Sequence, residues 1–533
     1  MFDIVVIGGG HAGVEAALAA SRMGRKVALV TMDSGRLAVM SCNPAIGGIG
    51  KSHLVKEIDA MGGIMAEAID ATGIQFRKLN LSRGAAVWST RAQADRIAYN
   101  SYVVKRVAAD PNIEIIEGLV EKLLVEQGRV VGVQTACGRD ISASAVVVAS
   151  GTFLGGLIHI GEKQIKAGRY GEQAAYGLTQ SLIELGFETG RLKTGTPPRL
   201  DGDTIDFSQC ELQPGLEPIP FFSHRTIRQP FKQTPCHLTY TTEQTKQVIT
   251  ANFERSPIFS GQIQATGPRY CPSIEDKFYR FADKARHQLF LEPEGNGTNE
   301  VYPNGFSTSL PEEIQLEAIR TVVGLERCDI TRPGYAVEYD YCPACQIRPS
   351  LETLRVQGLF FAGQINGTSG YEEAAAQGLM AGINASLHLE MAPPLVLDRS
   401  QAYTGVMIDD LTTRSTTEPY RMFTSRAEYR LAMREDNARD RLAPIAAQYG
   451  LISGDEYREL ADLQKNTNKV IAYFKRQHIR VCDLGPLSSC FKKAESVSLA
   501  KLFKLPGVSQ ASLLELLAQI DGYSTESPEE VER

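Results

Sequence analysis

The chain lacks any apolar run long enough to cross a membrane; its longest stretches, such as Ala145-Val-Val-Val-Ala149, fall far short of the ~18 residues such a helix needs. It lacks a disulfide framework, because its 10 cysteines are scattered over 533 residues without paired spacing, the usage of reduced cytoplasmic thiols rather than of a secreted, stapled protein. No basic region precedes the first apolar run, which stops at a glycine cluster, so a signal peptide is not expected. There is no internal repeat and no low-complexity tract. Positive charge is not in excess either: 56 Lys+Arg face 62 Asp+Glu for a formal charge of −6, which excludes a globally basic nucleic-acid coat and makes any RNA contact local. What remains is ordinary globular composition, 43% apolar and 22% charged. At about 150 residues per domain this length gives three or four domains.

Ile4 to Ile7 is a short all-apolar run ended by Gly8-Gly9-Gly10-His11-Ala12-Gly13. Helix formers follow from Val14 to Met23, Gly24 supplies a stop, and Val27 to Val30 reads as a second buried strand. That is a βαβ unit with strands apolar on both faces. Ile113 to Thr135 alternates around Gln127-Gly128 as a small hairpin, and Ala145 to Ala149 returns as another buried strand. From Thr196-Pro-Pro the composition shifts to Pro, Gly, Asp and Thr, a boundary signal, and the core resumes at Leu359-Phe-Phe-Ala and a small-residue helix from Tyr371. The expected fold is α/β: a Rossmann-type dinucleotide-binding core with α/β insertions and a C-terminal helical region. Residues 1–198 form its first part, with a small β insertion at about 112–140. An inserted α/β domain spans 199–345, the core returns over 346–395, and 396–533 is helical.

Gly8-x-Gly10-x-x-Gly13 follows a strand and opens a helix, the context in which three glycines make a tight turn, admit a pyrophosphate and allow close helix packing. The acid expected at the end of the second strand is displaced: Thr31 stands there and Asp33 lies two residues on. Ala45-Ile-Gly-Gly-Ile-Gly50-Lys51-Ser52 mimics a phosphate loop, but Ala45 replaces its first glycine, so nucleoside-triphosphate binding is rejected. Cys42 stands beside this loop, and Cys271 sits between Arg269 and Lys277, whose charge favours a thiolate. Cys342-Pro-Ala-Cys345 has no second pair or histidine cluster and reads as structural; no metal site is expected. Gly363-Gln364 to Glu373 is a glycine-rich turn into a helix suited to facing a phosphate or a flavin carbonyl. Arg421, Arg426 and Arg430 lie in a basic cluster interleaved with acids and aromatics, by default a salt-bridged face with phosphate contact as the alternative.

These segments, with Arg91-Ala-Gln-Ala-Asp95, Lys193-Thr-Gly-Thr-Pro-Pro198, Gly267-Pro-Arg-Tyr-Cys-Pro-Ser-Ile-Glu-Asp-Lys277, Ala362 to Gly378 and Glu418 to Arg430, closely resemble the MnmG (GidA) family of tRNA uridine 5-carboxymethylaminomethyl modification enzymes over residues 1 to about 445. The resemblance implies that the core is FAD-binding and glutathione reductase-like and that the inserted domain over 199–345 is nicotinamide-binding. The enzyme it implies uses FAD and NADH and works with the GTPase MnmE. It would build an aminomethyl-type group on carbon 5 of the wobble uridine in the tRNA anticodon loop, with methylene-tetrahydrofolate as carbon donor. By residue, it implies FAD contacts at Gly8, Gly9, Gly10, His11, Ala12, Gly13, Val120 and Gln364. It implies a nicotinamide segment holding Gly267, Pro268, Arg269, Tyr270, Lys277 and Phe281, and functional thiols at Cys42 and Cys271. Arg269, Lys277, Arg421, Arg426 and Arg430 are the expected tRNA contacts.

A cytoplasmic homodimer is also implied, with neither membrane nor DNA as partner. Trp88-Ser-Thr before Arg91 and Ala175 depart from the family pattern. Relatives continue beyond Arg533, so a shortened C-terminus with weakened MnmE docking is expected. The rival readings are a folate- and flavin-dependent tRNA uridine methyltransferase, which lacks a long helical region after residue 412, a flavin disulfide reductase using Cys342 and Cys345, and a non-enzymatic RNA-binding flavoprotein.

Overall fold

The computed structural model describes residues 1–505 except 228, 230, 268–271, 415–417, 483, 485–487, 489–490, 492–494 and 503. Two compact units emerge, Met1–Leu451 and Ile452–Arg533. In the first, strand β1 (Phe2–Ile7) leads through helix α1 (His11–Arg22) to strand β2 (Val27–Thr31). The parallel sheet built on them has Ile113–Glu117 outside β2, the C-terminal half of Asp140–Val148 on the other side of β1, and Leu359–Phe361 beyond that. Ile4, Val5 and Val6 are completely buried, which is why the strands read as unbroken apolar runs rather than alternating ones. Asp140–Val148 serves two sheets: its first residues pair antiparallel with Arg129–Thr135, which pairs with Val120–Glu126 across Gln127 and Gly128.

The return helix Tyr371–Leu389 lies against α1. Glycine permits that approach: a Cβ on Gly378 would sit 2.0 Å from the Ala12 carbonyl oxygen, and one on Gly382 would sit 2.3 Å from that of Ala16. The split core is thus rejoined by direct backbone packing.

Between the two core segments, an antiparallel sheet orders Lys163–Ile165, Leu157–Ile160, Tyr335–Tyr341 and Gly190–Thr196. A second, six-stranded sheet runs Glu211–Gln213, Cys236–Tyr240, Gln288–Pro293, Glu300–Asn304, Arg199–Asp201 and Ile330–Arg332. It carries its own apolar core, including Ile249, Phe278, Leu289, Phe306 and Ile319. Helix α2 (Lys51–Ala60) follows the short strand Ala45–Gly47, and the helices Tyr403–Thr413 and Ala438–Gln448 pack against it, so residues 396–451 belong with the first unit. In the second unit, the amphipathic helix Gly454–Arg476 and the strand pair His478–Arg480 and Ser496–Ser498 enclose Phe474, Leu484, Val497, Leu499 and Leu502. No helix among the described residues is long and apolar enough to cross a membrane.

Gly378→Ala forces a methyl group into the Ala12 carbonyl. Overpacking of this kind costs about 1–3 kcal/mol, so the variant is expected to unfold at lower temperature in a thermal melt; an unchanged melt would show that the two helices do not touch here.

Candidate functional site

The turn after β1 is shaped by contacts that exclude side chains. Gly8 has φ +101°, and a Cβ there would lie 2.4 Å from the Ala149 carbonyl oxygen. A Cβ on Gly13 would lie 1.8 Å from the Gly8 carbonyl, so α1 rests directly on the end of β1. In front of Gly10 the space is open, and the first turn of α1 holds no acidic residue. Its N–H groups and dipole are therefore available to an anion.

This turn forms one wall of a cavity of about 740 Å³. Gly8, Gly9, Gly10, His11 and Ala12 line it with Val120, Gln364 and Cys42. Thr31 and Asp33 also reach it, and Asp33 caps the following turn by accepting from the Gly35 N–H at 2.9 Å. Gly13 packs behind the lining. Ser150 Oγ and His11 Nε2, both buried on cavity-lining residues, have no hydrogen-bond partner in the described protein. A glycine cradle beside a helix N-terminus, with two unsatisfied polar atoms, fits a pyrophosphate-bearing dinucleotide such as FAD.

The phosphate-loop mimic is tied to the return helix. Gly50, at φ +76°, turns the chain from Ala45–Gly47 into α2. The Lys51 ammonium is buried against Glu373, and the Gly47 N–H donates to Glu372 Oε1 at 2.7 Å. The two glutamates that open the return helix thus hold the loop to the cavity wall. Burial raises the Glu372 carboxyl, Lys51 opposing and Glu373 adding to the shift.

Cys42 faces the cavity half-buried. Its sulfur lies 3.0 Å from the Tyr302 hydroxyl and 3.6 Å from the Gly195 carbonyl oxygen, and its N–H donates to the Tyr371 hydroxyl at 2.8 Å. Beneath Tyr302 the Arg199 guanidinium stands 4.7 Å from the ring centroid. Arg199 is itself buried, paired with Glu294 and donating to Thr196 Oγ1 and the Pro197 carbonyl oxygen at 2.8 Å each. Burial alone would lower the Arg199 pKa, but Glu294 leads the interactions that hold it above its ordinary value.

Sequence reasoning missed Arg199 and Tyr302. No local motif marks them; the antiparallel register of Leu200 with Val301 brings them together.

Pro268, Arg269, Tyr270 and Cys271 lie outside the described residues, as does the chain end. Gly267 approaches the aliphatic part of Lys193. Lys277 donates to the Gly305 carbonyl oxygen at 2.6 Å, and Phe281 is exposed with the Lys284 ammonium 5.2 Å from its ring centroid. Arg421 and Phe423 line the cavity, whereas Arg426 stacks on Tyr420 and Arg430 donates to the Ala427 carbonyl oxygen at 3.4 Å. Cys342 is buried and pushed up to about 12 by that burial, with Asp340 adding to the effect; Cys345 is exposed.

The family model for Glucose inhibited division protein A matches residues 3–393. The chain belongs to the GidA family. The tRNA uridine 5-carboxymethylaminomethyl modification enzyme MnmG of Flavobacterium johnsoniae is 49% identical over 529 residues, covering 99% of this chain and 85% of that protein. Its namesake in Thermodesulfovibrio yellowstonii is 50% identical, covering 100% and 89% respectively. The crystal structure of Aquifex aeolicus GidA superimposes with a TM-score of 0.92 at 46% identity, over 99% of this chain and 85% of that one.

Gly8→Ala places a side chain against the Ala149 carbonyl in a left-handed conformation, so purified protein is expected to lose its visible flavin absorbance; full flavin content would refute the cradle. A second test is pH. Burial, then Arg169, lowers the His11 pKa from 6.5 to about 3. Between those values the unfolded chain binds a proton that the folded chain refuses, so stability falls as pH drops through the window. His11→Gln is expected to flatten that part of the profile in melts at stepped pH; an unaltered slope would assign it to other groups.

Proposed function

We propose that this protein is a flavin-dependent enzyme that modifies carbon 5 of the wobble uridine in tRNA. The observation that carries the reading is that Cys42 opens onto the same cavity as the Gly8–Ala12 turn and Gln364. A reactive thiol thereby shares one chamber with a dinucleotide seat.

Gly8 through Ala12 would hold the pyrophosphate, with Val120 and Gln364 along the rest of the cofactor. Bound there, FAD supplies hydride and one-carbon transfer chemistry, with NADH as reductant and methylene-tetrahydrofolate as carbon source. Gly267 through Phe281 is the proposed nicotinamide segment.

The chain's own contribution is to make the base reactive. Carbon 5 of uracil is a poor nucleophile. When a cysteine thiolate bonds to the adjacent ring carbon, the double-bond electron pair moves toward the carbonyl and leaves an enolate that is nucleophilic at carbon 5. After the new carbon–carbon bond forms, loss of the carbon 5 proton expels the thiolate and restores the double bond. Cys42 or Cys271 performs the addition, and the other supports it.

An anticodon-loop base is unpaired, so it enters the pocket at less cost than a paired one. Arg421 and Phe423 line the cavity, and in this reading they receive phosphate and base. Lys277, Arg269, Arg426 and Arg430 extend the proposed tRNA contact. A homodimer working with MnmE in the cytoplasm completes the reading. The disulfide-reductase alternative gains nothing from the structure, since Cys342 and Cys345 are absent from the cavity lining.

Nucleoside analysis of tRNA tests the proposal. Cells that lack the protein are expected to lose the modified wobble uridine, and Cys42→Ser is expected to restore less than about 1% of it while retaining flavin, the scale of losing a nucleophile. Unchanged amounts of the modified nucleoside in the deletion strain would point to another substrate.

A further inference from the structure

A cysteine acts as a nucleophile only as thiolate, so the groups within reach of the Cys42 sulfur bear on its reactivity. Its sulfur meets the Tyr302 hydroxyl at 3.0 Å and the Gly195 carbonyl oxygen at 3.6 Å. A thiol can donate to either oxygen. A thiolate has no proton to give, so the Tyr302 hydroxyl must then be the donor, and donation to an anion is stronger than donation to a neutral group. The Arg199 guanidinium lies 4.7 Å from the centroid of the Tyr302 ring, on the strand next to that of Tyr302. A fixed cation against a phenol makes its hydroxyl a better donor and adds its own attraction for a neighbouring anion. Arg199 is locked by Glu294, and Glu294 is in turn bound by Arg96.

We infer that Tyr302 is a positioning residue for Cys42: its hydroxyl, backed by the Arg199 guanidinium, donates to the Cys42 thiolate and sets the pH at which that sulfur becomes reactive. The inference rests on the proposed role of Cys42 in base addition and names the device that would poise it. Tyr302 touches neither cofactor nor base in this scheme; it acts through the sulfur. Among the described residues, the site is also faced by Tyr335 and Tyr371, both raised by burial and both sensing Cys42, together with Arg169 and Arg199, which act on the same two tyrosines. Arg91 reaches the neighbouring residue Asn43 at 3.5 Å. The proton that leaves the sulfur passes to solvent through the open cavity, so no protein base is required.

The test follows the thiol rather than turnover. The rate of iodoacetamide labelling at Cys42, resolved by peptide mass spectrometry, is measured against pH in the flavin-loaded full chain. In Tyr302→Phe the midpoint of the rate profile is expected to rise by about one pH unit, with labelling near neutral pH falling about tenfold. Tyr302→fluorotyrosine, close to the parent in shape but a stronger donor, is expected to move the midpoint down, which keeps the inference testable if the phenylalanine variant folds poorly. Midpoints that match the parent in a folded, flavin-binding variant would overturn it. Because labelling needs no tRNA, the proposed substrate can be wrong while this result stands, and the reverse also holds.

Discussion

Helix α1 is in backbone contact on two sides, and the rest of the site depends on that. Gly13 lets it rest on the end of β1, while Gly378 and Gly382 let the return helix rest on it. Each contact is closer than any side chain would allow, so no larger residue substitutes without moving an element. Residues 371–389 are thereby fixed beside residues 8–16, some 360 positions earlier in the chain. Tyr371 stacks on His11 with ring centroids 4.6 Å apart, and its hydroxyl accepts from the Cys42 N–H. One packing constraint therefore sets both the dinucleotide cradle and the backbone position of the thiol.

Buried charge then fixes the neighbouring elements. Lys51 holds Glu373 at the start of the return helix. Glu57 accepts from the N–H groups of Tyr403 and Thr404 at 2.8 and 2.9 Å and pairs with Arg441. Asp59 accepts from the Ser223 hydroxyl and pairs with Arg225. Helix α2 is thus a polar spine joining segments that are distant in sequence. Ion pairs of this kind add little net stability, because desolvation offsets attraction, but a misplaced segment would leave a bare charge in the interior. They select one arrangement among several compact ones.

What the sequence made legible was local. The turn at Gly8–Gly13, the unbroken apolar strands and the glycine-rich return at Gly363 each write their geometry into a few adjacent residues, and the structure places these segments around one cavity. Arg199 and Tyr302 were not legible, because their meeting depends on the register of two strands about a hundred residues apart. Nothing near Pro198 or Pro303 announces a partner for Cys42. Long-range antiparallel pairing leaves no short motif, only alternation that many registers satisfy.

Net charge illustrates the same difference between composition and placement. An overall −6 suggests a surface indifferent to polyanions. Yet Arg36, Arg91, Arg169 and Arg421 all line the same cavity. Arg91 is paired with the carboxylate of Glu292, and Arg169 with that of Glu172, which lines the same cavity. Pairing of this type orients a guanidinium without consuming all of its five donors, so a paired arginine still presents N–H groups to a phosphate. Among the described residues the cavity lining carries Arg36, Lys51, Arg91, Arg169 and Arg421 against Asp33, Glu172 and Glu372, a local excess of basic residues, while most of the acidic groups that set the net charge lie elsewhere. Screening over about 8–10 Å at physiological ionic strength keeps those distant acids from cancelling it. An acidic protein can therefore hold anionic cofactors and RNA, provided its arginines are gathered where the chain folds back on itself.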